Sequence, residues 1–316
     1  MLLVKLIFFI KIIDFFNGGD NMDLRQLNAF LTISKLQNFT AAANELGYAQ
    51  STITTQIKSL EEELGVRLFE RMGKSISLTY EGTKLIPYAK QMLKLDNDIR
   101  TVVFNEEKPN GTLVIGAAES LCVLRLPKIL KVYRELYPEV DISLTFGNCS
   151  TFRDMLKNNL IDIAFSLGRK IDSEEFIADT EIEEEMLLLS NTSNPLVHKN
   201  EIYPIDLKDQ FFILTDKGCS YRAELEKILK ENNIKPKIAL ETSSVQAIKQ
   251  FTISGLDITM LPKVAVKEEL ESGKLIKLNY CGPKLNIVSQ VLYHKDKWVS
   301  PAMKEFMLLS KKYLGQ

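Results

Sequence analysis

Residues 39–65 read FTAAANELGYAQSTITTQIKSLEEELG, two short helical stretches parted at Gly47-Tyr48-Ala49. Thr40 is placed to cap the first helix, which runs from Ala41 to Leu46 and which Gly47 ends. The second, about Gln50 to Leu64, sets Ile53, Ile57, Leu60 and Leu64 on one face, and Gly65 stops it. Upstream, Asp23 can cap a helix carrying Leu24, Leu27, Phe30 and Leu31 at helical spacing. Three small helices with a three-residue turn between the last two make a helix-turn-helix. The apolar stripe of the third helix leaves Ser51, Thr52, Thr55, Gln56 and Ser59 on the outside. Serine and threonine are indifferent helix formers, so propensity does not account for this run.

Short donors and acceptors at a helix start can reach base edges in a major groove, and the helix dipole favours phosphate at that end. Glu61, Glu62 and Glu63 lie in the other half of the helix, clear of such a contact. The stretch VRLFERMGKSISLT then alternates and turns at Met72-Gly73-Lys74, a β-hairpin with Arg71 and Lys74 near its tip, suited to phosphate. The unit reads as a winged helix-turn-helix. Thr40, Gln50, Ser51, Thr52, Thr55, Gln56, Lys58, Arg71 and Lys74 are its candidate DNA contacts. Residues 22–80 hold six Lys or Arg and six Asp or Glu, so the unit is neutral. A helical protein-interaction module is the alternative, and DNA binding would depend on local charge and on dimerisation.

The run MDLRQLNAFLTISKLQNFTAAANELGYAQSTITTQIKSLEEELGVRLFER, followed by LTYEGTKLIPYA, resembles the DNA-binding domain of the LysR-type transcriptional regulators, and the resemblance continues to about residue 313. One departure is Ala49, where many members carry a capping serine; the cap of the third helix is then expected on another residue. The resemblance implies an α/β protein with an N-terminal winged helix-turn-helix (22–80), a long linker and dimerisation helix with a polar hinge (81–111), and a two-lobed, periplasmic-binding-protein-like effector domain (112–316). Thr79 can cap the long helix, in which Leu85, Tyr88, Met92, Leu95, Ile99 and Val102 form a seam for a partner helix and Pro87 is expected to kink the backbone. Packing of that seam on its own C-terminal domain is the alternative. The expected assembly is a homodimer or homotetramer on a double-stranded DNA operator, with RNA polymerase as a further candidate partner.

From Thr112 strands alternate with helices, which indicates a parallel sheet. A helix is read over Val123–Tyr137. Lobe one is placed at 112–176 plus 284–316 and lobe two at 177–283. Ligands bind beyond the carboxyl ends of strands in such sheets. Those ends read AESLC, GNCS, TDKGCSYR and TSS, small hydroxyls leading into helix N-termini, which can serve an anion. Ser120, Cys122, Asn148, Ser150, Cys219, Ser220, Arg222, Ser243 and Ser244 are therefore the candidate contacts of a small anionic effector, with the planar fork of Arg222 suited to a carboxylate. Plain N-capping by Ser120, Ser150, Ser220 and Ser244, and pairing of Arg222 with Glu224, Glu226 or another acid, stand beside that reading. Peroxide-sensing relatives carry a reactive cysteine in the loop that matches GCSYR, so thiol sensing at Cys219 is an alternative. No second cysteine follows before Cys281.

Of other function classes, an enzyme is disfavoured by the lack of a P-loop, a GxGxxG or a credible triad, and a solute-binding transport protein by the DNA-binding unit. The two histidines are far apart and no zinc-ligand spacing occurs, so neither metal nor cofactor is expected. Net charge of −1 gives no sign of a membrane, and four cysteines without close pairing suit a reducing, cytoplasmic setting. The apolar start MLLVKLIFFIKIIDFF is interrupted by Lys5, Lys11 and Asp14 and is shorter than the ~20 residues a spanning helix needs. Glycine codons being purine-rich, Gly18-Gly19 reads as a translated ribosome-binding stretch. Met22 is then the expected native start, and 1–21 a leader outside the fold.

Overall fold

The computed structural model describes residues 22–72, 75–103 and 108–314, which divide into two compact units at Arg100/Thr101. The expected leader (1–21), Lys74 and part of the expected hinge lie outside the described residues.

In the first unit, α1 (Leu24–Leu36) is capped by Asp23, whose side chain accepts from the Arg25 N–H while the Gln26 side chain accepts from the Asp23 N–H. Helix α2 (Phe39–Leu46) is capped by Asn38 rather than by Thr40: Asn38 Oδ1 accepts from the Ala41 N–H at 3.0 Å. Phe39 is already helical and 6% exposed, so its burial in the core sets the start, and Thr40 stands exposed in the first turn. Gly47 closes α2 at φ 70°, a left-handed value that suits glycine. Helix α3 (Gln50–Leu64) buries Ile53, Ile57 and Leu60; Leu64 is 38% exposed, because Leu68 and Phe69 of the wing take the next core positions. Strands β1 (Phe69–Met72) and β2 (Ser75–Leu78) pair antiparallel, Phe69 opposite Leu78 and Met72 opposite Ser75. Helix α4 (Tyr80–Val103) starts with Thr79 Oγ1 accepting from the Gly82 N–H and runs through Pro87 unbroken. A Cβ on Gly82 would fall 2.2 Å from the Leu68 carbonyl oxygen, so glycine is required where α4 meets the wing. The core joins Leu27, Phe30, Ile57, Leu60, Phe69 and Ala89.

The second unit begins with β3 (Gly111–Ala117), then α5 (Glu119–Leu124) and α6 (Leu126–Leu136), where one helix over Val123–Tyr137 is expected. The helices part at Arg125, just ahead of Pro127, which has no N–H to continue a helix from the preceding turn. There follow β4 (Val140–Phe146), α7 (Cys149–Lys157), β5 (Ile163–Gly168), β6 (Phe176–Glu184), β7 (Met186–Ser190) and β8 (Phe211–Leu214). The chain continues through α8 (Ser220–Glu231), β9 (Lys237–Glu241), α9 (Val245–Ile253), β10 (Thr259–Pro262), α10 (Lys267–Glu271), β11 (Ile276–Lys277), β12 (Ile287–His294) and α11 (Pro301–Leu314).

One lobe is built on a five-stranded sheet in the order β4-β3-β5-β12-β6, with β3 parallel to β4 and β5, and β12 antiparallel to both its neighbours. The other holds the antiparallel set β10-β7-β11 and the parallel pair β8-β9. Strand β6 pairs with β12 along its whole length, so residues 177–184 belong to lobe one and the chain crosses at Glu185, not at residue 177. A single apolar cluster, including Ile115, Tyr133, Phe165 and Phe306 of one lobe and Leu189, Phe212, Ile248 and Leu261 of the other, runs through both.

Candidate functional site

In the first unit the start of α3 presents Gln50, Ser51, Thr52 and Thr55 to solvent. The Thr55 hydroxyl donates to the Ser51 carbonyl (3.0 Å), which leaves its oxygen as an acceptor for a partner. Gln56 is half-buried, with its Oε1 enclosed and lacking a hydrogen-bond partner among the described residues. Ser59, expected outside, instead accepts from Gln26 Nε2 (3.2 Å) and ties α3 to α1. Ala49 is the N-cap of α3 by backbone position and makes no side-chain bond, so the cap position stays at residue 49. The first N–H groups of α3 remain available to a phosphate. Lys58 is exposed and pairs with Glu62 at 3.3 Å, a contact worth little in water. Glu61 has a structural task that the sequence did not reveal: its Oε1 accepts from the Leu68 N–H (2.7 Å) and the Phe69 N–H (3.3 Å) and holds the turn into the wing. Arg71 lies in β1.

In the second unit the four expected loops converge on one pocket of about 480 Å³. Lobe one contributes Ala118, Glu119 and Ser120 after β3, Phe146 at the end of β4 with Gly147 to Cys149 beyond it, and Leu167 of β5; lobe two contributes Thr215, Asp216 and Cys219 to Tyr221 after β8, and Ser243 to Val245 after β9. Six of the nine candidate contacts line it: Ser120, Asn148, Cys219, Ser220, Ser243 and Ser244. Three do not. Cys122 is buried in the apolar cluster, its thiol pushed up by burial and then by the Glu119 charge. Ser150 turns back to donate to Asn148 Oδ1 at 2.7 Å.

Arg222 is the third, and its position corrects the carboxylate-binding role. It is 2% exposed, with its guanidinium donating to the Thr215 carbonyl and to Glu226 (2.8 Å) and paired with Glu241 (2.8 Å). At the third position of α8 it points away from the helix start and straps α8 to the ends of β8 and β9. The acid expected at Glu224 is taken by Arg169.

Capping differs from expectation too. Asn148 caps α7, accepting from the Thr151 N–H at 3.1 Å, and only Ser244 among the four serines caps its helix, accepting from the Ala247 N–H. Residues 118 and 219 occupy the cap positions of α5 and α8 without a side-chain bond. The Cys219 thiol is raised above its ordinary value, chiefly by burial. Glu119, Asp216, Thr215 and Cys149 belong to the lining but are missing from the candidate set. They share the quoted loops, and two of them are acids, the opposite of what an anion site calls for. Among the described residues no lysine or arginine lines the pocket. Cys149 Sγ sits 3.0 Å from Ser166 Oγ and donates to the Leu167 carbonyl.

Among the described residues no helix is long and apolar enough to cross a membrane. Comparison with known proteins joins the two units. Residues 24–83 match the model of the bacterial regulatory helix-turn-helix protein, lysR family, and residues 106–314 that of the LysR substrate binding domain. The uncharacterized HTH-type transcriptional regulator YwqM of Bacillus subtilis is 35% identical over 92% of this chain and 99% of its own. The HTH-type regulator CzcR of the same organism is 32% identical over 90% of this chain and 96% of its own. Of solved structures, CbnR, a LysR family regulator, superposes with a TM-score of 0.65 at 21% identity, over 92% of this chain and 99% of that one, and has also been seen with its target DNA. A full-length OxyR variant from Pseudomonas aeruginosa gives 0.66 at 21%, over 92% and 94%. The chain is thus a member of the LysR family, a DNA-binding transcriptional regulator with an effector-binding domain and not an enzyme.

Proposed function

We propose that this regulator reads a double-stranded operator with the exposed start of α3 and the wing, works in the cytoplasm as a homo-oligomer joined along α4, and changes its hold on DNA when a small polar molecule fills the pocket between the lobes. The observation that carries the effector reading is the convergence of four strand-to-helix loops, two from each lobe, on one pocket. A molecule held there bridges the lobes and can shift an existing equilibrium between two arrangements, provided it binds one better than the other.

The lining also supports a chemical class. The N-termini of α7 and α8 offer N–H groups to an anionic end. Glu119 and Asp216 line the same pocket and can accept from hydrogen-bond donors of a ligand. An effector with one acidic group and one amino or hydroxyl group, such as an amino acid or a hydroxy acid, satisfies both. Thiol sensing at Cys219 is the weaker reading, because burial pushes that thiol away from its reactive form.

The test is a thermal-shift screen of the full-length protein against amino acids, hydroxy acids and simple dicarboxylates, followed by gel shifts on operator DNA with each hit. A hit that stabilises the protein and alters operator affinity supports the proposal. Stabilisation by simple dicarboxylates alone would remove the donor half of it.

A further inference from the structure

Glu119 reaches from one lobe to the other. It opens α5, in the lobe of the five-stranded sheet, yet its carboxylate accepts from the Val245 N–H (2.7 Å) and from Ser244 Oγ (3.3 Å) at the start of α9. The start of a helix attracts an anion, because its first N–H groups lack partners and the dipole places positive charge there. Here the attracted anion is the chain's own. On the same pocket wall, Thr215 is buried, with its hydroxyl beside Cys219 and Tyr221. Among the described residues no cation in the lining offsets Glu119 and Asp216, and Arg222 is already held by Glu226 and Glu241.

We infer that Glu119 is a specificity-determining residue of the pocket: it fills the α9 end with an internal carboxylate, excludes a ligand's carboxylate from that end, and favours ligands that present hydrogen-bond donors to it. This rests on the reading of the pocket as the effector site. The physical reason is that a second carboxylate at α9 would compete for the same Val245 N–H and meet a like charge at hydrogen-bond range. Glu119 also makes the α9 contact an interlobe one, so a ligand that draws this carboxylate away changes how the lobes are held.

The experiment needs no knowledge of the natural effector. Full-length wild type, Glu119→Ala and Glu119→Gln are melted in sodium propionate, in propionamide, and in sodium chloride at matched ionic strength. Wild type is expected to gain less from propionate than Glu119→Ala does, since the α9 end is already filled in it. Glu119→Ala should melt several degrees lower and recover, saturably, with propionate but not with propionamide, as the free acid takes the vacated place. Glu119→Gln still fills the space and should show no recovery. Equal stabilisation of wild type and Glu119→Ala by propionate would overturn the inference, as would a Glu119→Ala variant that melts like wild type or ignores propionate. Should Glu119→Ala fail to fold, Glu119→Ser, polar but uncharged and shorter, is tested with propionate under the same criteria. An effector screen without hits would count against the pocket reading and leave this result standing, so the two failures are separable.

Discussion

Arg222 shows how one side chain can be legible in type and misleading in role. An arginine at the start of a helix that faces a pocket is a natural partner for a carboxylate, yet here two carboxylates and a carbonyl of the same chain have claimed it. Arg222→Ala should therefore lower stability more than it alters ligand affinity. Glu226 and Glu241 are 39% and 38% exposed and can be hydrated once the guanidinium is gone, so the expected loss is roughly 2 kcal/mol, below the cost of stranding a fully buried charge. Urea unfolding of the full-length variant measures it, and an unchanged midpoint would refute the structural role. Gln56 makes the converse case. Its side chain is half-buried with the amide oxygen enclosed and unsatisfied, and a change of rotamer would bring the amide to a base edge. Gln56→Ala should weaken operator binding by ~1–3 kcal/mol while random DNA is held as before. Gel-shift titrations on both DNAs decide, and equal losses on the two would exclude base reading.

Helix α4 carries an apolar stripe that its own unit leaves uncovered. Tyr88, Met92, Leu95 and Ile99 are 64%, 38%, 54% and 53% exposed and recur at three- and four-residue spacing, while Leu85, Ile86 and Leu93 pack against the helix-turn-helix core. One side of α4 is thus occupied by its own unit and the other carries an uncovered apolar stripe, the pattern of a helix that pairs with a second copy. Leu95→Glu should weaken self-association by roughly 100-fold, since each copy of a two-fold interface loses the burial of one leucine. Sedimentation of the variant reports this directly, and an unchanged association constant would assign the stripe elsewhere. At the same scale, the start of α2 shows the limit of local signals. Asn38 and Thr40 are both good caps, and the choice between them was made by Phe39, whose ring packs at 5.8 Å from Phe69 in the core.

For the molecule as a whole, the second unit is stitched where the chain passes between its lobes. Glu184 closes β6 and pairs with the Arg125 guanidinium, while the neighbouring Glu185 accepts from Lys263 (2.8 Å) and Lys277 (2.7 Å) of the other lobe. Those two hydrogen bonds hold the Glu185 carboxyl down to about 2, from an ordinary value of 4.5. A depressed carboxyl binds fewer protons folded than unfolded, so its stabilisation is complete above pH 4.5 and is lost as pH falls toward 2. The side chain is 45% exposed, and solvent screening limits the contribution to at most ~1 kcal/mol. Glu185→Gln should flatten the acid limb of the stability curve between those two values and converge on wild type at its lower end. Denaturant titrations at stepped pH follow it, and parallel curves would exclude the contribution.

The sequence by itself determined whatever depends on neighbours along the chain. The three helices of the first unit, the wing that follows them, and the four loops at strand ends were legible because periodicity, caps and glycines are local signals acting over a few residues. Tertiary structure alone decided the rest. Strand β6, FIADTEIEE, carries four acids and lies at a sheet edge, where solvated charges erase the apolar run that marks a buried strand; only its pairing with β12 assigns it to lobe one. The fate of Arg222 depended on Glu241, nineteen positions away in sequence, and the reach of Glu119 on a helix start at Val245 in the other lobe. Pairings of that range are chosen by how whole elements pack, since packing fixes which charges meet at 3 Å, and no local pattern encodes that distance.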